Sequence, residues 1–267
     1  MNTKNLVVAG LFFVLGSTAQ AEMLLVANSG FEDLYFGSNL PESFGGDVPP
    51  TAFPAGPAPA GWDAFGAVGG GASIGVLSPG TAISDNGTNF PLGAPEGDNV
   101  ALLFFDQFDG GPEFGIEQTL SATLQANTVY TLSVGVGNIA SGVSSVEPFQ
   151  GFGFFDLRGF PGYRIDLLAG DTVIAQDDDT LSPGEGVFET SVIQAVVGDT
   201  HPQLGLNLTI RLVNLNEQDV NESVVDLEVD FDHVRLDAAA VPSPGSSVLV
   251  LVGIGVGCLL RPRALGV

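Results

Sequence analysis

Apolar and polar residues alternate over several stretches in the middle of the chain. Apolar side chains occupy every second position from 204 to 212, and the same alternation recurs over 130–136 and 227–231. Successive side chains of a β-strand point to opposite faces of a sheet, so a period of two predicts strands with one face on a core and one face in water. No stretch between residues 22 and 240 has an apolar pattern of helical period.

Further segments have the composition of short strands and are bounded by Gly, Pro, Asn or Asp. They are 23–27, 72–77, 99–105, 114–120, 162–168, 172–176 and 187–196. Between two of them, Ala169-Gly170-Asp171 predicts a tight hairpin. The 37 glycines and 17 prolines argue against long helices. We therefore predict an all-β fold over residues 22–240, an antiparallel two-sheet sandwich of jelly-roll kind.

The first 21 residues have the three parts of a secretory signal peptide. Lys4 supplies a positive charge, an apolar run follows over 6–15, and Ala19-Gln20-Ala21 gives a small-x-small cleavage pattern. The apolar run is too short to span a bilayer, which takes about 20 residues. We expect cleavage after Ala21, the alternative being an N-terminal strand or a buried helix.

The last 27 residues, 241–267, form a separate tail. Val241-Pro242-Ser243-Pro244-Gly245 interrupts any strand, 246–260 has no charge, and Arg261 and Arg263 follow. Fifteen apolar residues span about 22 Å as a helix, against about 30 Å of hydrocarbon. This length predicts transient insertion into the inner membrane through a short transmembrane helix, with the arginines on the cytoplasmic side. A permanent membrane anchor is the alternative.

This layout resembles the PEP-CTERM sorting signal of Gram-negative bacteria, over residues 241–263 and with Ser243 in place of the expected glutamate. The resemblance implies that an exosortase-like enzyme reads Pro242, Ser243 and Pro244 and removes the tail. It also implies export through the inner membrane to the cell surface or the extracellular matrix.

Charge and cysteine content narrow the function further. The chain has 31 acidic and seven basic residues, for a net charge of −24, and every acidic residue lies between 22 and 240. Such a surface repels phosphate backbones, which excludes nucleic acid as a partner. The single cysteine, Cys258, lies in the tail, so the domain has no internal disulfide and depends on its core or on a metal.

Short motifs spread over residues 28–237 resemble those of the galactose-binding-like jelly rolls found in carbohydrate-binding modules. They are Asn28-Ser29-Gly30-Phe31-Glu32, Pro59-Ala60-Gly61-Trp62, Gly115-Ile116-Glu117-Gln118-Thr119-Leu120, Asn127-Thr128-Val129-Tyr130-Thr131-Leu132-Ser133-Val134 and Asp230-Phe231-Asp232-His233-Val234-Arg235-Leu236. The resemblance implies that the first and last strands lie side by side and hold a structural calcium ion.

Calcium prefers carboxylate and carbonyl oxygens, which directs attention to the acids at these two ends of the domain. Glu32 and Asp232 match the motif positions. Asp230 lies on the same face as Asp232 because side chains repeat with period two. The alternative is that these are exposed or turn-capping carboxylates. A second acidic run, Asp177-Asp178-Asp179, is predicted to be a solvated turn.

Aromatic residues are the candidate sugar-binding groups, because the C–H face of a sugar packs on aromatic rings. We consider Trp62 and the phenylalanine run that includes Phe152, Phe154 and Phe155. Trp62 can instead belong to the core, and the phenylalanine run can instead fold back on the sandwich.

These patterns predict a protein that is not an enzyme. We expect non-catalytic binding of exopolysaccharide or another glycan, or a structural role in a biofilm. The alternative is a secreted carbohydrate-active hydrolase with paired carboxylates, because acids are abundant and abundance alone selects none of them.

Overall fold

The computed structural model describes residues 21–33, 58–66, 72–77, 90–105, 112–143, 154–217 and 228–241. Within these ranges the chain forms strands and turns without a helix, so none of it offers an apolar helix that could cross a membrane. Most of the predicted signal peptide and nearly all of the tail, including Pro242, Ser243, Pro244, Arg261 and Arg263, lie outside the described residues.

The strands are numbered in chain order. They are β1 (Glu22–Leu24), β2 (Asp63–Gly66), β3 (Ala72–Leu77), β4 (Val100–Phe105), β5 (Phe114–Thr123), β6 (Thr128–Asn138), β7 (Gly142–Val143), β8 (Phe154–Phe155), β9 (Tyr163–Ala169), β10 (Thr172–Asp178), β11 (Val187–Val197), β12 (Asn207–Asn214) and β13 (Glu228–Ala240).

Two antiparallel sheets make up the sandwich. The first has the order β11-β6-β13-β4-β3. One side of β13 pairs with β6, and the other side pairs with β4 along its first half and with β1 along its second half. The second has the order β10-β9-β12-β5-β2, while β7 and β8 form a separate two-stranded ladder. The prediction of an all-β, antiparallel two-sheet sandwich is confirmed.

The core lies between the two sheets, where the predicted apolar stripes meet. Leu132, Val134 and Val136 of β6 face Leu208, Ile210 and Leu212 of β12 within one buried cluster. Burying one such side chain contributes about 1.5–3 kcal/mol. The alternation of the sequence is therefore confirmed as the pattern that builds the core.

Most predicted strand boundaries lie within three residues of the observed ones, and the start of β12 and the end of β13 each have a physical explanation. Leu204 and Leu206 continue the apolar alternation but precede β12, in a turn where the amide of Leu206 donates to the carbonyl oxygen of Gln203. β13 extends to Ala240, well beyond the predicted 227–231, because its second half pairs with both β6 and β1.

The outer face of the first sheet is covered at one end, although the alternation predicted that each outer face would be wet. An apolar group, here called the outer cluster, is formed by Leu77, Phe90, Val100, Leu102 and Ile139, with the partly buried Ala94, Phe104, Leu157 and Phe188 packed against it. β4 supplies apolar residues to both faces, as strands covered on both sides do. This second apolar layer is where the candidate site begins.

Candidate functional site

Three acidic residues share the outer face of β13. Val229 and Phe231 enter the main core, so Glu228, Asp230 and Asp232 point the other way. Their side chains are nevertheless buried: Asp230 and Asp232 are each 0% exposed and Glu228 is 5% exposed. Aspartate and glutamate are rarely buried to this degree. The outer face of β13 is therefore the candidate functional site.

The Asp232 end of this row is shaped by a bulge in β13. The pairing register with β6 shifts between Asp232 and Arg235, and His233 has a φ of 53°. The amide of Val234 donates to the carbonyl oxygen of Ser29 at 2.9 Å, which docks the opening loop of the domain on the bulge. β1 pairs with β13 directly beyond it, which confirms that the first and last strands are neighbours.

Glu32 and Asp232 both bind the turn at residues 95–99. Glu32 Oε1 accepts from the amides of Asp98 at 2.8 Å and Asn99 at 2.9 Å, and Asp232 Oδ2 accepts from the amide of Glu96 at 2.7 Å. Gly97 has a φ of 65°, and Glu32 lies so close to it that a Cβ there would collide with the carboxylate. The two acids named by the sequence are thus brought together around one turn.

At the Asp232 end of the site, the negative charges of Asp232, Glu96 and Glu32 exceed the positive charge of Arg235, which contacts Glu96. Burial, followed by the charges of Glu96 and Glu32, raises the pKa of Asp232 to about 7 despite two backbone hydrogen bonds that lower it. Glu96 Oε2 is buried without a hydrogen-bond partner, while Glu96 Oε1 lies 3.3 Å from Arg235 Nη2. An unsatisfied carboxylate oxygen among acids fits a cation.

Side chains alone do not enclose an ion here. Across the described part of the chain, no group of three or more His, Cys, Asp or Glu side chains is arranged to hold a metal. Calcium also accepts backbone carbonyl oxygens and water as ligands, which transition metals use less readily. The acids at this end therefore fit calcium better than a metal that needs several close side-chain ligands.

Asp230 has different surroundings. It is paired with Leu102 of β4 on one side and with Gly137 of β6 on the other. The ring of Phe188 lies over Gly137, where an added Cβ would come within 2.5 Å of the ring, and the ring of Phe90 is 4.3 Å from that of Phe188 between centroids. Paired residues share a face, so the Asp230 carboxyl lies on the face that the outer cluster covers.

Glu228 is the next residue on this face of β13, two positions before Asp230. It is paired with Phe104, a further member of the outer cluster. Two residues along a strand span about 7 Å, so the backbones of Glu228 and Asp230 lie about that far apart on the face that carries the outer cluster. Two buried carboxyl groups on one face can give and accept protons.

A second buried polar group joins the two sheets at their edge. Asp177 of β10 accepts hydrogen bonds from the hydroxyls of Tyr163 in β9 and Ser191 in β11. Burial and the bond to Asp177 raise the pKa of Tyr163 to about 12. The predicted solvated turn is wrong for Asp177, which is 6% exposed. The strand continues to Asp178, and its alternation turns Asp177 inward.

Of the predicted aromatic residues, Trp62 and Phe154 have side chains that the structure describes, and one is buried while the other is exposed. Trp62 is 5% exposed, packs against Phe31 with centroids 5.5 Å apart, and donates its indole N–H to the carbonyl oxygen of Asn28 at 3.4 Å. This is the core placement that the sequence left open. Phe154 is 65% exposed in β8, which also contains Phe155, and Phe152 lies outside the described residues.

Sequence reasoning missed Glu228, Glu96 and the aromatic lid formed by Phe90 and Phe188. One signal was available for the first of these. Glu228, Asp230 and Asp232 occupy every second position of a strand whose other face is core, which places three acids on one face. The lid comes from distant segments, so no local pattern indicates it.

Solved structures of two cyclase complexes resemble this chain over most of its length. The Stig cyclase Fisc from Fischerella sp. TAU, in complex with (3Z)-3-(1-methyl-2-pyrrolidinylidene)-3H-indole, is 32% identical and covers 83% of this chain and 99% of its own, with a TM-score of 0.60. A cyclase from Fischerella sp. TAU, in complex with 4-(1H-indol-3-yl)butan-2-one, is 34% identical and covers 82% and 98%, with a TM-score of 0.62.

Carbohydrate-binding modules also occur among the similar structures. The CBM22-1 xylan-binding domain from Paenibacillus barcinonensis Xyn10C is 13% identical over 69% of this chain and 88% of its own, with a TM-score of 0.36. No curated protein sequence matches the chain.

These relatives correct several expectations. The prediction that the protein is not an enzyme is wrong, because the similar proteins at above 30% identity are cyclases. Non-catalytic glycan binding, a structural biofilm role and the alternative of a carbohydrate-active hydrolase are wrong for the same reason. Exopolysaccharide and an exosortase-like enzyme are likewise wrong as partners, since the ligands of the related cyclases are small indole compounds.

The family assignment replaces the one made from short motifs. The family described as HpiC1-like (HpiC1 cyclase) matches residues 22–237, which is nearly the whole sandwich. The match ends before the tail, and it gives no support to secretion and sorting by a PEP-CTERM signal. The chain therefore belongs to the HpiC1-like family of cyclases.

Proposed function

We propose that the protein is a cyclase that closes a ring in a small, apolar, indole-bearing molecule by acid catalysis, with Asp230 as the proton donor. The observation that carries the proposal is a fully buried carboxyl group on the sheet face covered by the outer cluster. Membership of a cyclase family and the indole ligands of two related cyclases support the class of substrate.

Acid-catalysed ring closure without loss or gain of atoms begins with the transfer of a proton to the substrate. Protonation of the substrate creates an electron-poor carbon, and a π bond of the same molecule attacks that carbon to form the new ring. Aromatic faces such as those of Phe90 and Phe188 stabilise the passing positive charge. The apolar cover excludes water, which would otherwise trap the cation.

Calcium serves this site as a structural ion in the proposal. Glu32 and Asp232 would hold it together with backbone carbonyl oxygens and water, and it would offset the negative charge that they share with Glu96. In this proposal calcium affects catalysis indirectly, by fixing the backbone that positions Asp230. The 95–99 turn that these acids bind leads directly into β4, whose Leu102 pairs with Asp230.

A binding and turnover experiment tests the proposed reaction. Full-length protein is titrated with 4-(1H-indol-3-yl)butan-2-one, and with 4-phenylbutan-2-one as the matched compound without an indole. It is then incubated with indoles that carry an alkenyl side chain. We expect tighter binding of the indole compound, and a product of unchanged mass with one more ring. A product that is heavier by one water, or no preference for the indole, would contradict an acid-catalysed indole cyclase.

Calcium should stabilise the folded protein. An ion that binds only the folded state adds about 2.7 kcal/mol at 100 times its dissociation constant, which differential scanning calorimetry detects as a higher melting temperature than in chelator. Glu32→Gln and Asp232→Asn should each weaken this response, while Glu189→Gln, at an exposed position of β11, should leave it intact. An equal calcium response in all three variants would place the ion elsewhere.

The location of the protein in the cell stays a prediction. The pattern of residues 1–21 supports export through the inner membrane, with a mature chain that begins at Glu22.

A further inference from the structure

We propose that Glu228 is the proton acceptor that ends the cyclisation, so that Asp230 and Glu228 act as an acid and base pair on one strand. This inference rests on the proposed function. It adds a second catalytic residue to a reaction for which only the proton donor has been assigned.

The reaction itself calls for two groups. The proton enters at one atom of the substrate, and after ring closure a different C–H bond must lose a proton to give a neutral product. Asp230 lies in the interior of the sheet on the face that carries the outer cluster, and its short side chain holds its carboxyl group at one place along a bound substrate. A second carboxyl group at a distance along the substrate is the simplest acceptor.

The position of Glu228 meets that need. Glu228 and Asp230 lie two residues apart on the same face of β13, which separates them by about 7 Å, and both are covered by the outer cluster. Glu228 pairs with Phe104, so it lies on the same apolar surface as Asp230 but nearer the end of the strand. Its side chain is one methylene longer and retains 5% exposure.

Glu228 and Asp230 occupy different places in the sheet. Asp230 is fully buried and pairs with β4 on one side and with β6 on the other, whereas Glu228 is the first residue of β13 and pairs with β4. The two carboxyl groups therefore face the same side of the sheet from two positions, one in its interior and one nearer the end of the strand.

The proposed sequence balances in protons and electrons. The Asp230 O–H gives its proton to the substrate, and the π electrons of the substrate form the new C–C bond at the resulting electron-poor carbon. The neighbouring C–H bond then gives its proton to the Glu228 carboxylate, and its electron pair becomes a double bond. Return of that proton from Glu228 to Asp230 restores the starting state, and the product is an isomer of the substrate.

Deuterium exchange separates the two roles. Full-length wild type, Glu228→Gln, Asp230→Asn and the control Glu189→Gln are each incubated with an alkenyl indole in D₂O. We expect Glu228→Gln to form the isomer at least about 100-fold more slowly while the recovered substrate gains deuterium, because protonation still occurs and reverses. Asp230→Asn should slow product formation and deuterium uptake together, and Glu189→Gln should match the wild type.

The failures are distinguishable. Isomer formation by Glu228→Gln at the wild-type rate overturns the role of Glu228 alone. Loss of both product and deuterium uptake in a folded Glu228→Gln variant also overturns it, since Glu228 would then act before protonation. A wild type that forms no isomer overturns the cyclase proposal together with this one.

A variant that keeps a carboxylate, Glu228→Asp, separates loss of the base from loss of the fold. Glu228→Asp keeps the base but withdraws it by one methylene. We expect it to run at least tenfold faster than Glu228→Gln, with a larger kinetic isotope effect than wild type for substrate deuterated at the carbon that loses its proton. A Glu228→Asp variant that is folded but no faster than Glu228→Gln would contradict a direct role as base.

Discussion

Replacing Asp230 with asparagine should reduce cyclisation by about 10²- to 10⁴-fold, the range that a positioned general acid contributes. An amide has nearly the shape of the carboxyl group and can occupy the same position between Leu102 and Gly137, but it has no acidic proton to give. Binding of 4-(1H-indol-3-yl)butan-2-one should therefore persist. The measurement is kcat and KM with an alkenyl indole, beside the melting temperature of the variant.

Asp237→Asn is the matched control, because Asp237 lies on the same face of the same strand, at the end that the outer cluster does not cover. It should leave kcat unchanged. A fall in kcat confined to Asp230→Asn identifies a proton donor, whereas a raised KM at constant kcat would make Asp230 a binding group. Equal loss in both variants would point to general charge effects on this face.

The fold was predictable because its information is local. Alternation over 130–136 and the turn at Gly170 each depend on neighbouring residues, and both predictions are confirmed by β6 and by the β9–β10 hairpin. The exceptions have a physical cause. Leu206 continues the apolar alternation but lies in a turn. Alternation shows only that a side chain is suited to a strand, whereas tertiary contacts determine where strand pairing begins.

The site was only half predictable. Glu32 and Asp232 could be named, because the motifs at the two ends of the domain contain them, and the structure docks the loop after β1 on the bulge in β13. Asp230 was named for its face, yet the outer cluster that changes its chemistry is assembled by distant segments carrying Phe90, Leu102 and Phe188. No spacing in the sequence encodes that assembly.

Enzymatic activity was missed for a related reason. Hydrolases and metalloenzymes reveal themselves through groups at fixed spacing, whereas an acid catalyst needs one carboxyl group in the right surroundings. With 31 acidic residues in the chain, the sequence offers many carboxyl groups and marks none. Among the described residues, burial narrows them to Asp166, Asp177, Glu228, Asp230 and Asp232. Pairing with members of the outer cluster then distinguishes Glu228 and Asp230, and both properties belong to the folded molecule.

The second prediction with a large expected effect concerns the hydrogen bonds of Asp177 with Tyr163 and Ser191 at the edge of the sandwich. Asp177→Ala should destabilise the protein by about 3 kcal/mol, because the buried hydroxyls of Tyr163 and Ser191 would lose their acceptor, and an unsatisfied buried polar group costs about 1–3 kcal/mol. For a domain of this size the melting temperature should fall by about 6–12 °C. Asp178→Ala, next in β10 but exposed, is the control and should shift the melting temperature little.

The same residue links stability to pH. Burial alone would raise the pKa of Asp177, but hydrogen bonds from Ser191, Tyr163 and Thr180 together outweigh it and hold the pKa below its ordinary value. A carboxyl group whose pKa is lower in the folded state contributes stability above its unfolded pKa of about 3.9, and that contribution is lost as the pH falls through the folded value. The wild type should therefore lose more stability than Asp177→Asn on going from pH 6 to pH 3. Urea unfolding of both proteins at the two pH values measures the difference, and parallel losses would mean that the charge of Asp177 does not hold the sheets together.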